Sequence, residues 1–226
     1  MARPHPFLNI DAGELPDEPE ELIALAHVVN VACGGHAGDR ESMTRTLALC
    51  KRFGVEAGAH PSFPDRASFG RKALAISPDA LSASVAEQCG VLAAIARSLD
   101  VPLPFVKPHG ALYHAANRDR AMAKATLEGA VQALGRALTV VGPPEGMLRD
   151  VAAELGLGFA REGFADRGLR ADGSLVPRGE PGAMLEEPAE AAVQARALAG
   201  SVDTLCVHGD TPGALDIARA VREALA

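Results

Sequence analysis

Short apolar runs and longer stretches with helical spacing follow one another along this chain. Residues 7–11 alternate, with Leu8 and Ile10 apolar and Asn9 and Asp11 polar, which predicts a strand. An acidic, proline-containing stretch, 15–20, leads into a short helix ending near His27, its acids complementing the helix dipole. A second strand spans 28–33, and a glycine-rich turn leads to Asp39, placed to cap a helix reaching Phe53 with Met43, Leu47 and Cys50 on one face. Gly54 ends that helix, and 55–59 form a third strand that delivers His60.

A polar loop, 62–71, precedes Ser77 and Pro78, a cap and first-turn proline that open a helix running to about Leu99. Phe105 and Val106 begin a buried strand that ends in Lys107-Pro108-His109-Gly110. Side chains alternate across a strand, so Lys107 and His109 share a direction, and Gly110 permits a turn that a side chain would forbid. A helix is expected over 117–136, a strand over 138–141, a short helix closed by Gly156, and a strand over 157–160. A Gly/Pro-rich loop covers 168–182, Pro188 opens another helix, and 204–207 form a last strand ending in His208-Gly209-Asp210 before a final helix from Pro212.

Strand alternating with helix implies a parallel sheet covered by helices. Roughly seven units are present, one fewer than the usual eight, so the expectation is an α/β fold, a parallel (β/α) barrel of distorted, seven-stranded form. An open doubly wound sheet is the second choice. No repeat, linker or low-complexity tract divides the chain, and 1–226 is expected to be a single catalytic domain.

Composition narrows the function. The chain is 48% hydrophobic but only 4% aromatic, so its core must be built mostly of Ala, Leu and Val. A net charge of -7 without a basic run gives nucleic-acid binding no electrostatic support. The four cysteines form no C-x-x-C pair, and reduced thiols fit better than a disulfide framework; Cys33 and Cys206 sit within apolar strands as small core residues. No apolar run approaches the roughly 20 residues of a membrane helix. The amino terminus lacks a basic segment followed by an apolar one, and a cytoplasmic protein is expected.

Five strands end in polar residues: Asp11 with Glu14, His36 with Asp39, His60, Lys107 with His109, and His208 with Asp210. In a parallel barrel these ends share the face where active sites lie. Each has an ordinary explanation alone: Asp39 as a helix cap, His36 bonded to its own turn, Asp210 capping the last helix. A purely structural rim, however, gains nothing from so many histidines. His5, His27 and His114 fall outside the pattern.

Such a rim suits hydrolysis of an unactivated C–N or C–O bond. Asp11 or Asp210 could take a proton from water while a histidine positions or donates one. Lys107 could hold a substrate carboxylate or a developing oxyanion. Alternatively, Asp11 with His60, His109 or His208 could hold a divalent metal that activates water. No phosphate-binding loop of the G-x-x-x-x-G-K-[ST] type is present, and Gly156-Leu157-Gly158 is too short for a dinucleotide fingerprint.

Eight motifs in order carry a family resemblance: L-N-I-D-A-G-E (8–14), N-V-A-C-G-G-H-A-G-D (30–39), G-A-H-P-S-F-P-D (58–65), F-G-R-K (69–72), V-K-P-H-G-A-L-Y (106–113), E-G-F-A-D-R (162–167), L-V-P-R (175–178) and C-V-H-G-D (206–210). Together they resemble the LamB/YcsF family, which supplies the A component of the prokaryotic 5-oxoprolinase. The resemblance implies ATP-dependent opening of 5-oxo-L-proline (pyroglutamate) to L-glutamate, performed with partner subunits B and C. It also implies a distorted barrel of the glycoside hydrolase/deacetylase type. Because the chain has no phosphate-binding loop, it is expected to need its partners for turnover.

Strand ends and motifs overlap at Asp11, His60, Lys107, His109 and Asp210 as catalytic candidates, and at Asn9, Glu14, Asn30, His36, Arg71 and His208 as substrate contacts. A metal, if bound, is expected on Asp11, His60 and His109. Two departures from the family pattern stand out. Gly35 replaces an aromatic residue, expected to loosen the turn or enlarge the pocket, and the segment after Glu14 is short. The rival reading is a metal-dependent amidohydrolase or deacetylase acting on a small amide or N-acetyl sugar without ATP. Copy number is left open, a homo-oligomer included.

Overall fold

Leu8 and Ile10 pack with helix residues such as Leu22, Leu47 and Leu92 in the main core, because alternation sends every second side chain of a strand to the outer, helix-covered face. The inward set forms a separate small cluster of Phe7, Val28, Phe105, Val141 and Ala160. This is a computed structural model, and it describes residues 6–225; His5 lies outside the described residues. The strands are β1 (Phe7–Ala12), β2 (Val28–Ala32), β3 (Glu56–His60), β4 (Phe105–Val106), β5 (Thr139–Gly142), β6 (Gly158–Phe164) and β7 (Thr204–His208). All pair in parallel and in chain order, and β1 closes on β7 with Asp11 opposite His208. The closed seven-stranded barrel bears out the first expectation over the open sheet.

Helices α1 (Glu20–Leu25), α2 (Arg40–Phe53), α3 (Pro78–Leu99), α4 (Gly110–Arg118), α5 (Arg120–Leu134), α6 (Met147–Glu154), α7 (Pro188–Leu198) and α8 (Ala214–Ala224) surround it. Asp39 caps α2, its side chain accepting from Ser42 N at 2.9 Å. None of the helices among the described residues is long and apolar enough to cross a membrane.

Three expectations need correction. Helix resumes directly at Gly110, not near 117, because Leu112, Tyr113 and Ala116 already bury one helical face. Asp119 then ends α4 and caps α5, accepting from Ala121 N and Met122 N. Strand β6 continues past 160 to Phe164, since Glu162 and Gly163 pair with β7. The turn at Gly35 is not loosened into a larger pocket. Gln88 and Ser62 occupy the space a Cβ would need there, and they hold each other through Ser62 N to Gln88 Oε1 (3.0 Å) and Gln88 Nε2 to Ser62 O (2.9 Å).

Gly110 is where the local chain demands glycine. Its φ is +55°, and a Cβ would lie 2.7 Å from Gly70 O, the carbonyl that accepts from Ala111 N. Gly110→Ala is therefore expected to lower stability by about 1–3 kcal/mol through left-handed strain and the clash. Urea unfolding measures this, and an unchanged midpoint would contradict the strained turn.

Candidate active site

The carboxyl ends of the strands bring the chemistry together. Asn9 and Asp11 are two apart on β1 and both point inward; Asn30 on β2 lies opposite Asp11. His60 ends β3, opposite Ala32. Asn9, Asp11, Asn30, His60 and Lys107 are all at most 2% exposed, so the upper half of the barrel interior is polar where most barrels are apolar.

Lys107 is the hub of one half of the site. Its Nζ lies 2.9 and 3.0 Å from the two Asp11 carboxylate oxygens, 2.8 Å from Glu162 Oε1, 3.2 Å from Asn9 Oδ1 and 3.0 Å from Cys206 Sγ. Asn9 donates to Glu162 (3.1 Å) and Thr204 (2.8 Å), and Asn30 donates to both Asn9 Oδ1 and Asp11 Oδ1 at 2.8 Å. Burial works against the ammonium, but Asp11, with Cys206 and Glu162, holds the Lys107 pKa well above its usual value. Burial likewise works against the Asp11 carboxylate, and His60 and Lys107 outweigh it, holding that pKa well below the usual range.

The other half is built around Glu14. His36 Nε2 lies 2.8 Å from Glu14 Oε1, His109 Nδ1 3.3 Å and His60 Nε2 3.8 Å. His36 stacks flat on His109, ring centroids 3.6 Å apart. Burial pushes the His36 pKa down to about 4 and lowers that of His109, in each case against the hydrogen bond to Glu14. His36 is therefore an uncharged ring at neutral pH. The donor atoms of Glu14, His36, His60 and His109 all lie within 4.8 Å of one another. Of the expected metal set, His60 and His109 do converge, but Asp11 is committed to Lys107 and Asn30, and Glu14 takes the place beside both rings.

His208 sits across the closing seam. Its Nε2 is 3.9 Å from Asp11 Oδ2, and its Nδ1 is 3.0 Å from Asp166, which also accepts from His208 N and Thr211 Oγ1. Asp210 is not part of the inner cluster. It pairs with Arg71, which stacks on Phe69, and approaches Arg178 at 3.8 Å, joining the loops after β3 and β6 over the mouth. His27, as expected, serves the frame: its Nδ1 accepts from Leu8 N.

Glu162 and Asp166 escape the strand-end reading. Both lie in the E-G-F-A-D-R stretch, and a strand ending at 160 leaves them off the rim. Continuing the alternation two residues past Ala160 turns Glu162 inward.

A model of the LamB/YcsF family matches residues 8–226. The chain belongs to the LamB/YcsF family. Among relatives within this LamB/YcsF group, a Methylococcus capsulatus protein, named as the A subunit of 5-oxoprolinase, is 44% identical, covering 97% of this chain and 91% of its own length. A Streptomyces coelicolor protein of the same name is also 44% identical, covering 96% and 94%. Among solved structures, a lactam utilization protein from Thermus thermophilus superposes with a TM-score of 0.88 at 38% identity, covering 97% of this chain and 95% of its own.

The Asp166–His208 pair makes a pH prediction. Burial disfavours both charges, yet each pKa moves toward the charged form: Asp166 is lowered by His208 and Thr211, and His208 is raised by Asp166 and Asp11. The Asp166 contribution is present above its unfolded pKa of about 3.9 and is lost as pH falls through the lower folded value. The His208 contribution is full below its unfolded pKa of about 6.5 and is lost as pH rises through the higher folded value. The pair thus stabilises most between those limits. Asp166→Asn should flatten the plot of unfolding free energy against pH above about 6.5; an unchanged slope would contradict the pairing.

Proposed function

We propose that this chain is the A subunit of an ATP-dependent 5-oxoprolinase, a cytoplasmic hydrolase of one catalytic domain. It opens the cyclic amide of 5-oxo-L-proline to L-glutamate together with B and C subunits. The observation that carries this reading is the mouth itself: a buried ammonium, three imidazoles and a glutamate converge beneath two arginines, in a chain similar throughout to proteins named for that reaction.

The chemistry demands three things. The substrate carboxylate needs a cation, and Arg71 and Arg178, which already hold the Asp210 carboxylate, suit it. The ring carbonyl oxygen gathers negative charge when water adds to its carbon, and the Lys107 ammonium, kept charged by Asp11 and Glu162, is the group to meet it. The water loses a proton and the ring nitrogen gains one as the C–N bond breaks. The cluster of Glu14, His36, His60 and His109 supplies the groups that position that water and move those protons. Asp11 then acts on Lys107 and His60 rather than on substrate. A lactam is a stable amide, so coupling to ATP, for instance by phosphorylating the amide oxygen, lowers the barrier. The chain carries no phosphate-binding loop, so ATP is assigned to the assembled complex.

The test is glutamate release from 5-oxo-L-proline by the co-expressed subunits, with and without ATP. Glutamate is expected only with ATP and all subunits. None from the folded, complete complex would overturn the reading, and ATP-driven turnover by this chain alone would refute its dependence on partners.

A further inference from the structure

The hydrogen bonds around His60 and His109 leave an unusual arrangement of lone pairs. His60 Nδ1 lies 2.7 Å from the Lys107 carbonyl oxygen, which can only accept, so that nitrogen carries the proton. His109 Nε2 lies 3.0 Å from the Phe69 carbonyl oxygen, so it too carries the proton. The remaining nitrogens, His60 Nε2 and His109 Nδ1, are then both bare lone pairs, and they face each other at 3.1 Å. Two further acceptors border the same point: Glu14 Oε1, 3.3 Å from His109 Nδ1 and 3.8 Å from His60 Nε2, and Asp11 Oδ2, 3.3 Å from His60 Nε2. Four acceptors aimed at one spot repel one another unless something positive stands between them.

We propose that His60 Nε2, His109 Nδ1 and Glu14 Oε1 hold a divalent first-row cation of the zinc type at the barrel mouth, with a coordination position left open. The spacing suits it. Tetrahedral zinc with bonds of about 2.0–2.1 Å places its ligands about 3.3 Å apart, and the three donor atoms lie 3.1, 3.3 and 3.8 Å apart. The surroundings suit it as well. Each histidine is oriented through its other nitrogen by a backbone carbonyl, the outer bond that metal-binding histidines use to fix tautomer and ring angle. His36 Nε2 reaches Glu14 Oε1 at 2.8 Å and its Nδ1 is buried without a hydrogen bond, which fits a ring kept to brace the glutamate. Two imidazoles favour zinc, iron, nickel or copper over magnesium or calcium. Three buried carboxylates, Asp11, Glu14 and Glu162, also share the single buried ammonium of Lys107.

The inference rests on these side chains and not on the lactam reading, and its test uses no substrate. The full chain is stripped with chelator, dialysed and titrated with zinc chloride in a calorimeter. One equivalent is expected to bind, and X-ray absorption of the loaded chain should show two imidazole ligands. His60→Ala and Glu14→Gln should each weaken binding at least about 10-fold. Glu14→Gln keeps the side-chain shape, so it serves if loss of the His60 ring disturbs the fold, which circular dichroism monitors. A folded chain that takes up no zinc overturns the proposal and leaves a shared proton as what joins the two rings. Binding that both variants leave intact overturns it equally, since the ion would then sit elsewhere.

Discussion

Lys107→Met lowers the stability of the chain by about 3–5 kcal/mol and abolishes turnover. The side chains are similar in length, so packing changes little; what is lost is the one charge that faces Asp11 and Glu162. Removing one partner of a buried ion pair leaves its counter-charge in a medium that cannot solvate it, and that unpaired charge sets the size of the effect. For a chain of this size the melting temperature should fall by about 6–20 °C. The pH dependence should also invert. With Lys107 present, Asp11 stabilises above its unfolded pKa of about 3.9, and that contribution is lost as pH falls through its lower folded value. Without Lys107, burial becomes the stronger influence and raises the Asp11 pKa, so the native state binds the extra proton and the variant gains stability as pH falls. Urea unfolding between neutral and mildly acidic pH measures this. A variant as stable as the parent, with the same slope, would mean that Lys107 is not the hub of the interior.

Asp11→Asn should separate folding from chemistry. Asp11 Oδ1 accepts from Asn30 and Lys107, and an asparagine oxygen can keep both bonds. The amide nitrogen then falls where Oδ2 was, 3.3 Å from His60 Nε2 and 3.0 Å from Lys107 Nζ. It donates to the histidine lone pair and opposes the ammonium. The stability loss should be about 1–3 kcal/mol, that of a mispaired buried polar group. Turnover should fall by about 10²–10⁴, the usual contribution of positioned acid–base groups, because His60 is occupied and Lys107 is no longer held by a carboxylate. Glutamate release by the assembled complex, beside unfolding of the same variant, checks both halves. Full activity in a folded variant would remove Asp11 from the machinery.

Much of this site was legible in the chain because parallel barrels place strand ends on one face. Asp11, His60, Lys107 and His109 need only that rule and the turns at Pro61 and Gly110. Sequence alone cannot say which acid faces which base, because that depends on loop paths. Glu14 lies three residues beyond Asp11, yet the turn at Gly13 brings it against three histidines and commits Asp11 to Lys107. Asp210 follows β7 as closely as Glu14 follows β1, but it turns outward to two arginines from distant loops. Glu162 was hidden because Arg161 and Glu162 read as a polar end to the strand, whereas pairing with β7 carries β6 onward to Phe164. The short β4 shows the converse. Only Phe105 and Val106 pair, yet Gly58 opposite has no room for a side chain against Phe105, and that close approach aims Lys107 into the barrel.

The central claim is that one mouth, formed by separate strand ends, takes the substrate. A crystal structure of the chain with bound 5-oxo-L-proline tests it most directly. The lactam should lie with its carboxylate toward Arg71 and Arg178 and its ring carbonyl toward Lys107, within reach of His60 and His109. A ligand seated instead in the apolar groove beside α7, among Leu169, Leu185 and Val193, with the mouth unchanged, would contradict the account.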